Sequence, residues 1–364
     1  MANRLRQLLL VISLVGLLTS GVWVFYPETV DWADWALRGA WMQRIEVDMQ
    51  EARKLRADGE LDQAELVLAD LVESMDGVQI GDRRDNWWRI AMRERIAVLR
   101  QAGRQEEAIA CARQYHEHAP RDADNILMLG ILLLQSEAHE EEGLTMLADL
   151  QRLVPEWSRV ADAYAKALIA RGREREAVEV GLQFLRRGSG LQSCDWVFFW
   201  DVGNSFEGGN SYRTDLEQAV EPGDYRVQVK IPPRDTPLRA LRIDTPLWAS
   251  VRVTNWVAQV RVGDQVFAFD KPGQLTKQSR MIEVDDRALE TQWLAHCNMR
   301  FEFDQPLMLD KNSYIEFEAH LETLLPPGTR ELFKDAETSA RIFVWLRESG
   351  RHDDVQLIRK AMGF

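Results

Sequence analysis

The spacing of hydrophobic residues changes three times along this 364-residue chain. An uncharged apolar run fills residues 7–27, apolar residues then recur every three or four positions to about residue 190, and alternation begins near residue 196. Helical spacing returns over residues 331–364. The pattern predicts a multidomain α + β protein with four segments: an anchor (1–27), helical repeats (28–190), a β-domain (191–328) and a C-terminal helical hairpin (329–364).

The first segment has the length and the flanks of a transmembrane helix. No residue between Arg6 and Glu28 is charged, and about 20 apolar residues suffice to cross a bilayer. Because Arg4 and Arg6 precede the run, the positive-inside rule predicts a single-pass protein of the bacterial inner membrane with its bulk in the periplasm. A cleaved signal peptide is the alternative, although Thr19 to Gly21 offer only a weak cleavage site.

Small residues recur through the helical segment at a period close to 35. The positions are separated by 44, 35 and 34 residues, and they are Ala64, Ala108, Gly143 and Ala177. A glycine stands five residues before the small residue in three of these units, where a helix has to end: Gly59, Gly103 and Gly172. The pattern resembles the tetratricopeptide repeat (TPR), in which pairs of antiparallel helices stack into an α-solenoid.

The resemblance to this repeat implies a concave surface that binds a peptide or a partner protein. Candidate contacts are the aromatic and basic residues at the end of the insertion that lengthens the first unit and just after it: Trp87, Trp88, Arg89 and Arg93. Packing inside the array is the alternative interpretation for each of them.

Alternating apolar residues in the third segment predict seven strands. They are Trp196–Trp200, Tyr225–Ile231, Leu238–Ile243, Ser250–Val262, Gln265–Phe269, Trp293–Phe303 and Tyr314–Leu321. Short strands separated by turns rich in Gly, Pro and Asp favour a β-sandwich.

Two stretches of the β-domain have a more specific pattern. FFWDVGNSFEGGNSYR (198–213) and LRALRIDTP (238–246) are similar to a β-sandwich module appended to bacterial glycosyltransferases and other surface-polysaccharide proteins. The resemblance implies a galactose-binding-like fold associated with carbohydrate. A sugar site needs an aromatic ring and planar hydrogen-bonding groups, and the candidates are Trp200, Asp201, Phe206, Asn210, Arg213, Arg242 and Asp244. The alternative is that the charged members form a network that holds the loop 201–224 on the sheet.

Charge and motifs narrow the functional classes. With 45 Lys and Arg against 58 Asp and Glu, the net charge is -13, which argues against a nucleic-acid partner. The P-loop, GxSxG, GxGxxG and HExxH motifs are absent, so we expect no catalytic residue, no metal and no cofactor. A carboxylate pair for glycoside hydrolysis is the open alternative. Pairing of Cys194 with Cys297 also stays open.

These observations predict a membrane-anchored periplasmic scaffold or glycan-binding subunit in the assembly or export of a cell-surface polysaccharide. Its partners would be proteins on the concave surface of the repeats and a glycan on the β-domain. The main alternative is an adaptor for an envelope or division complex, in which the β-domain is only structural. A glycan-active enzyme is the third hypothesis.

Overall fold

A computed structural model provides the coordinates of the chain. It describes residues 27–75, 77, 83–187, 196–203, 206, 210–219, 223–233, 235–246, 250–276, 281–285, 288–291 and 297–362. The predicted anchor lies outside the described residues except for Pro27, where the first helix begins. Within the described ranges, no helix has both the length and the apolar character needed to cross a bilayer. The chain forms two compact units, residues 1–136 and 137–364.

The first unit is helical throughout its described part. Its helices are α1 (Pro27–Ala57), α2 (Leu61–Ser74), α3 (Arg83–Gln101), α4 (Gln105–His118) and α5 (Ala123–Leu134). Consecutive helices pack against each other, and the small residues Ala64 and Ala108 are fully buried between them. The helical repeat region predicted from the sequence is thereby confirmed, because these positions allow close approach of neighbouring helices.

The second unit begins with three more helices. After a 3₁₀ turn (Glu137–His139), α6 (Glu140–Leu153), α7 (Ser158–Ile169) and α8 (Glu174–Arg187) follow. Gly143 and Ala177 are buried on α6 and α8. All four small residues of the predicted repeat therefore lie at helix contacts.

Two antiparallel sheets follow the helices. Their strands are β1 (Trp196–Asp201), β2 (Ser211–Thr214), β3 (Glu217–Gln218), β4 (Asp224–Lys230), β5 (Leu238–Asp244), β6 (Val251–Val262), β7 (Gln265–Phe269), β8 (Met281–Asp285), β9 (Ala288–Thr291), β10 (Asn298–Leu307) and β11 (Tyr314–Thr323). The smaller sheet has the order β10-β5-β1-β2, and the larger has the order β3-β4-β11-β6-β9-β8 with β7 beside β6.

The two sheets share one hydrophobic core. The ring of Phe317 in the larger sheet lies 5.6 Å from that of Trp196 and 6.1 Å from that of Phe198 in the smaller sheet. The seven predicted strands correspond to β1, β4, β5, β6, β7, β10 and β11. The sequence missed β2, β3, β8 and β9, which are two to five residues long. Because β2, β3 and β8 are mostly exposed, they show no apolar alternation.

Three helices end the chain: α9 (Pro327–Glu331), α10 (Ala336–Glu348) and α11 (His352–Met362). The predicted C-terminal hairpin is present as α10 and α11, and ion pairs connect it to α8. Arg351 pairs with Glu179, and Arg186 donates to Asp354 at 2.6 Å. The two arginines hold the pKa of Asp354 below its usual range, although burial alone would raise it. The hairpin therefore docks on the last helical pair before the β-domain.

The turn inside this hairpin is the one found in three of the earlier repeats. Gly350 has φ +74°, close to the values of +84°, +73° and +68° at Gly59, Gly103 and Gly172. After each glycine, the next backbone N–H donates to a leucine carbonyl five residues earlier, at 2.8 to 2.9 Å. The hairpin thus repeats the helical pair, and in sequence the β-domain is an insertion between two such pairs.

Because Gly350 has a positive φ, we expect Gly350→Ala to strain the backbone and lower the stability of the fold. A Cβ added there meets no atom within 4 Å, so the left-handed backbone alone sets the effect, which is a loss of about 1 kcal/mol in the free energy of unfolding. Urea denaturation of the full chain measures it. Gly273→Ala is the matched control, because its added Cβ also meets nothing within 4 Å and its φ is not positive. Equal stability of the two variants would contradict the shared turn.

Helix α9 connects the β-domain to the helices of the second unit. The backbone N–H of Gly328 donates to Asp162 Oδ1 on α7 at 2.6 Å, and Arg330 Nη1 lies 3.0 Å from Glu290 Oε2 on β9. Asp162 is fully buried, and its Oδ2 is 2.9 Å from Lys166 Nζ. One short helix therefore links α7 with the larger sheet.

We expect the buried Asp162 to tolerate replacement by asparagine. Burial raises the pKa of Asp162, and the bonds from Lys166 and Gly328 offset this only in part. Because the folded-state pKa is raised, the ionised carboxylate opposes folding at neutral pH, and this unfavourable contribution of Asp162 disappears as the pH falls through its folded-state pKa. We expect Asp162→Asn, which keeps an acceptor for Gly328, to be at least as stable as wild type at pH 7.

Chemical denaturation between pH 7 and about pH 4 tests this expectation. The advantage of Asp162→Asn should shrink as the pH falls. Asp162→Leu is the control that loses the acceptor, so it should be less stable than wild type at every pH. An asparagine variant as unstable as the leucine variant would show that the charge itself stabilises the fold.

Candidate protein-binding site on the helical repeats

The four residues predicted to contact a partner lie on α3. This helix carries six arginines and two acidic residues, whereas the whole chain has a net charge of -13. The local excess of positive charge makes α3 electrostatically distinct from the rest of the protein.

Arg89 crosslinks α3 to the start of α5. Its guanidinium forms two hydrogen bonds to the carboxylate of Asp85, at 3.1 and 2.9 Å, and a third to Asp122 Oδ2 at 3.1 Å. The bond to Asp85 raises the pKa of Arg89 further above its ordinary value. Because a bidentate pair fixes the guanidinium plane, Arg89 is held in one orientation.

Asp122 connects three parts of the unit. Its Oδ1 accepts the N–H of Asn125 at 3.1 Å and caps α5, while its Oδ2 accepts the hydroxyl of Tyr115 on α4 at 2.8 Å. Burial alone would raise the pKa of Asp122, but the bonds from Tyr115 and Asn125 and the nearby arginines hold it below its usual value. Burial, with a contribution from Asp122, raises the pKa of Tyr115 to about 12.

Trp88 packs its ring against the aromatic side chains next to this network. Its ring meets the Tyr115 ring edge-on at 5.5 Å and the His118 ring at 4.2 Å, and His118 Nε2 lies 2.9 Å from Asp85 Oδ1. Trp88 is only 6% exposed. Its ring is therefore a core group and not a surface contact, which corrects the sequence-based assignment for this residue.

Of the four predicted contacts, Trp87 and Arg93 are the better placed for a partner. Trp87 is half-buried and Arg93 is exposed, and the guanidinium of Arg93 lies 6.0 Å from the centre of the Tyr115 ring. Trp88 and Arg89 support them from beneath, because their side chains are engaged in contacts among α3, α4 and α5.

The neighbouring exposed surface of α3 and α1 is basic. Arg93 and Arg100 are exposed and seven residues apart, so they lie on one face of α3. On α1, Arg53 and Arg56 each pair with Glu94 at 3.1 Å. We call these four arginines the basic strip. In the described part of the chain, no carboxylate lies within 4 Å of Arg93 or Arg100.

The residues predicted to bind a glycan separate onto two faces of the smaller sheet. Trp200 is 4% exposed and belongs to the core between the sheets. Its ring cannot stack on a sugar at the surface, so its assignment as a ligand contact is corrected. Asn210 is buried, and its backbone carbonyl accepts a hydrogen bond from the backbone N–H of Trp200 at 3.0 Å.

Other predicted glycan residues meet on the outer face of that sheet. Arg242 donates to both oxygens of Asp244, at 2.7 and 2.8 Å, and its guanidinium lies 4.1 Å from the ring centre of Phe199 and 5.3 Å from that of Phe206. Arg300 on β10 lies 4.9 Å from the Phe206 ring centre. Sequence reasoning missed Phe199 and Arg300, which the strand register places beside Arg242.

Asp201 and Arg213 have different surroundings. The Oδ1 of Asp201 accepts the N–H of Gly203 at 2.7 Å and so closes a local turn. Arg213 is exposed on β2, opposite Val197 of β1. The structure therefore brings Phe206, Arg242 and Asp244 together, and it places Asp201 in the turn that follows β1.

Metal and thiol chemistry have few candidates in the described ranges. No group of three His, Cys, Asp or Glu side chains there is arranged to hold a metal ion. Cys111 and Cys297 are buried, and burial raises the pKa of the Cys111 thiol. Cys194 lies outside the described residues, so its pairing with Cys297 stays a prediction.

Comparisons with known proteins cover family models, curated proteins and solved structures. No protein-family model matches the chain, and no curated protein matches it. Among solved structures, the chain is similar to a thermophilic TPR protein of Thermus thermophilus, with 15% identity and a TM-score of 0.30 over 39% of this chain and 73% of that one. The support for helical repeats therefore comes from this chain's own paired helices, buried small residues and shared glycine turn.

Proposed function

We propose that this chain is a protein-interaction scaffold whose helical repeats bind a partner along the exposed sides of α1, α3 and α5. The observation that carries the proposal is the network of Asp85, Arg89, Tyr115 and Asp122, which is fully engaged below the surface. It holds α3, α4 and α5 in a fixed arrangement. A preformed surface of this kind reduces the entropy lost when a partner binds.

Side chains suited to protein contact lie around this network. Trp87 on α3 and Met128 and Ile131 on α5 are partly exposed, and Arg93 on α3 is exposed. Aromatic residues, methionine and arginine are enriched in protein interfaces. The combination favours a protein partner over a small-molecule ligand.

Site-specific photocrosslinking tests whether a partner protein binds this surface. A photoreactive amino acid is placed at Ala97, which is half-buried between Arg93 and Arg100, and in a second variant at the exposed Glu117 of α4. In cells of the native host, we expect a discrete crosslinked protein from position 97 and none from position 117. Absence of any crosslink from positions 97, 87 and 128 would refute the proposal.

We further propose that residues 1–27 hold this scaffold at the bacterial inner membrane, with the body in the periplasm and a role in cell-surface polysaccharide assembly. The uncharged apolar run and the preceding arginines support the location. The polysaccharide role is supported by the sequence stretches 198–213 and 238–246. The proposal assigns no catalysis to the chain. A C-terminal alkaline phosphatase fusion should be active if the body is periplasmic.

Glycan binding by the β-domain is a second candidate function. The observation in its favour is the outer face of the smaller sheet, where Phe199, Phe206, Arg242 and Arg300 lie together. Since guanidinium groups cover the rings, a glycan would bind mainly through hydrogen bonds to arginine N–H groups.

Titration of the full chain with the host polysaccharide tests the glycan candidate. Arg300→Ala should weaken saturable binding, and Arg226→Ala, an exposed arginine on the other sheet, should leave it unchanged. No saturable binding, or equal loss in both variants, would rule out a site on the smaller sheet.

A further inference from the structure

We infer that the partner of the repeats presents an acidic segment and that this segment binds the basic strip of Arg53, Arg56, Arg93 and Arg100. The inference rests on the proposed scaffold function and specifies the chemistry of its partner.

Charge is the first argument. The strip carries four arginines, and the carboxylate of Glu94 accepts from two of them, Arg53 and Arg56. It is therefore locally rich in arginine in a protein whose net charge is -13. An acidic segment would be repelled by most of the surface and attracted here, so electrostatics would both steer the partner and select the binding position.

The state of the individual arginines is the second argument. Arg93 and Arg100 are exposed and, within the described residues, have no carboxylate at ion-pair distance. Arg56 also donates to Gln101 Oε1 at 3.0 Å, and its side chain is 36% exposed. The contacts made by α1 therefore hold one side of the strip in place, while Arg93 and Arg100 on α3 are exposed to a partner.

Geometry indicates a polypeptide as the ligand. Arg93 and Arg100 are seven residues apart, or roughly 10 Å along the helix axis, which is about one turn, or three residues, of a polyproline II segment, in which side chains three residues apart point the same way. Ile90 and Ala97 lie on the same face of α3 and are half-buried. A segment with acidic side chains at three-residue spacing and apolar side chains between them would match both kinds of contact, whereas a uniform polyanion would match only the charge.

The experiment uses the full chain and a synthetic peptide. The probe is a fluorescent, N-acetylated and C-amidated repeat of Leu-Glu-Asp, about 12 residues long so that it offers about four three-residue repeats to the strip. A Leu-Gln-Asn repeat is the neutral control peptide. Fluorescence anisotropy should show saturable binding of the acidic peptide that weakens between about 50 mM and about 500 mM salt, because screening increases.

Charge-reversal variants connect this binding to the strip. The double variant Arg93→Glu with Arg100→Glu should bind the acidic peptide at least about tenfold more weakly than wild type, equivalent to about 1.4 kcal/mol. The matched control is Arg347→Glu with Lys360→Glu, which changes the net charge equally at two exposed positions of the C-terminal hairpin. It should bind within about twofold of wild type. Circular dichroism confirms that both variants fold.

Three outcomes would overturn the inference. They are no binding of the acidic peptide to wild type, equal loss in the two double variants, and strip-dependent binding of phosphatidylglycerol vesicles or a sulfated polysaccharide without binding of the peptide. The crosslink from position 97 distinguishes failure of the acidic-partner inference from failure of the proposed scaffold function. If the crosslink persists in Arg93→Glu with Arg100→Glu, the scaffold stands and the acidic partner is wrong.

Discussion

Replacement of Asp122 by alanine should lower the free energy of unfolding of the first unit by about 3 kcal/mol. The substitution removes the cap of α5, worth about 1 kcal/mol, and leaves the buried Tyr115 hydroxyl and one guanidinium contact of Arg89 without an acceptor, at about 1 to 3 kcal/mol. Because Asp122 receives bonds from both Tyr115 and Arg89, one change loosens three helices. Urea denaturation followed by circular dichroism measures the loss.

The control for Asp122→Ala is Glu117→Ala, an exposed acid on α4, which should change stability by less than about 0.5 kcal/mol. A pH series supplies a second check. The pKa of Asp122 is lowered in the fold, so its contribution is present above about pH 4 and is lost as the pH falls through the folded-state pKa. The difference between wild type and Asp122→Asn should therefore shrink in acid. A pH-independent difference would contradict the charged network.

Replacement of Gly181 by alanine should destabilise the second unit by about 2 kcal/mol, although alanine is the better helix former. A Cβ on Gly181 would stand 2.6 Å from Thr329 Cγ2 and 3.1 Å from Leu325 Cδ2. Thr329 is fully buried against α8, so the clash cannot be relieved by rotation into solvent. We expect α9 to be displaced from α8, and thermal unfolding of the full chain measures the effect.

A second substitution tests the cause of this effect. Thr329→Ala removes the methyl group that meets the new Cβ, so the double variant Gly181→Ala with Thr329→Ala should recover much of the stability lost by Gly181→Ala alone. Gly273→Ala, with open space around the added Cβ, should be nearly neutral. If the double variant is as unstable as the sum of its single variants, the contact between α8 and α9 is not the cause.

The helical repeats could be predicted because their signal is local. The small residues at Ala64, Ala108 and Ala177 follow a glycine turn at a constant distance. The same spacing connects Gly350 to Val355, but it escaped recognition because Val355 is larger and the β-domain separates this pair from the others. The backbone angle at Gly350 makes the correspondence visible.

The candidate sites were harder to predict, because they depend on which face of an element each side chain occupies. Trp88 and Trp200 are aromatic residues beside polar neighbours, and both are buried. Arg300 was missed because it lies 58 residues after Arg242 in sequence, and only the pairing of β5 with β10 brings them side by side.

The sequence by itself determined the element types and their order, since helical and strand periodicity, turn glycines and small contact residues act over a few positions of the chain. Tertiary structure decided which charges are neutralised and which face outward. Asp122 gathers Tyr115 and Arg89 from two other helices, whereas Arg93 and Arg100 stay exposed. That difference depends on distances between residues remote in sequence, because a charge is compensated only by groups that the fold brings within a few ångströms.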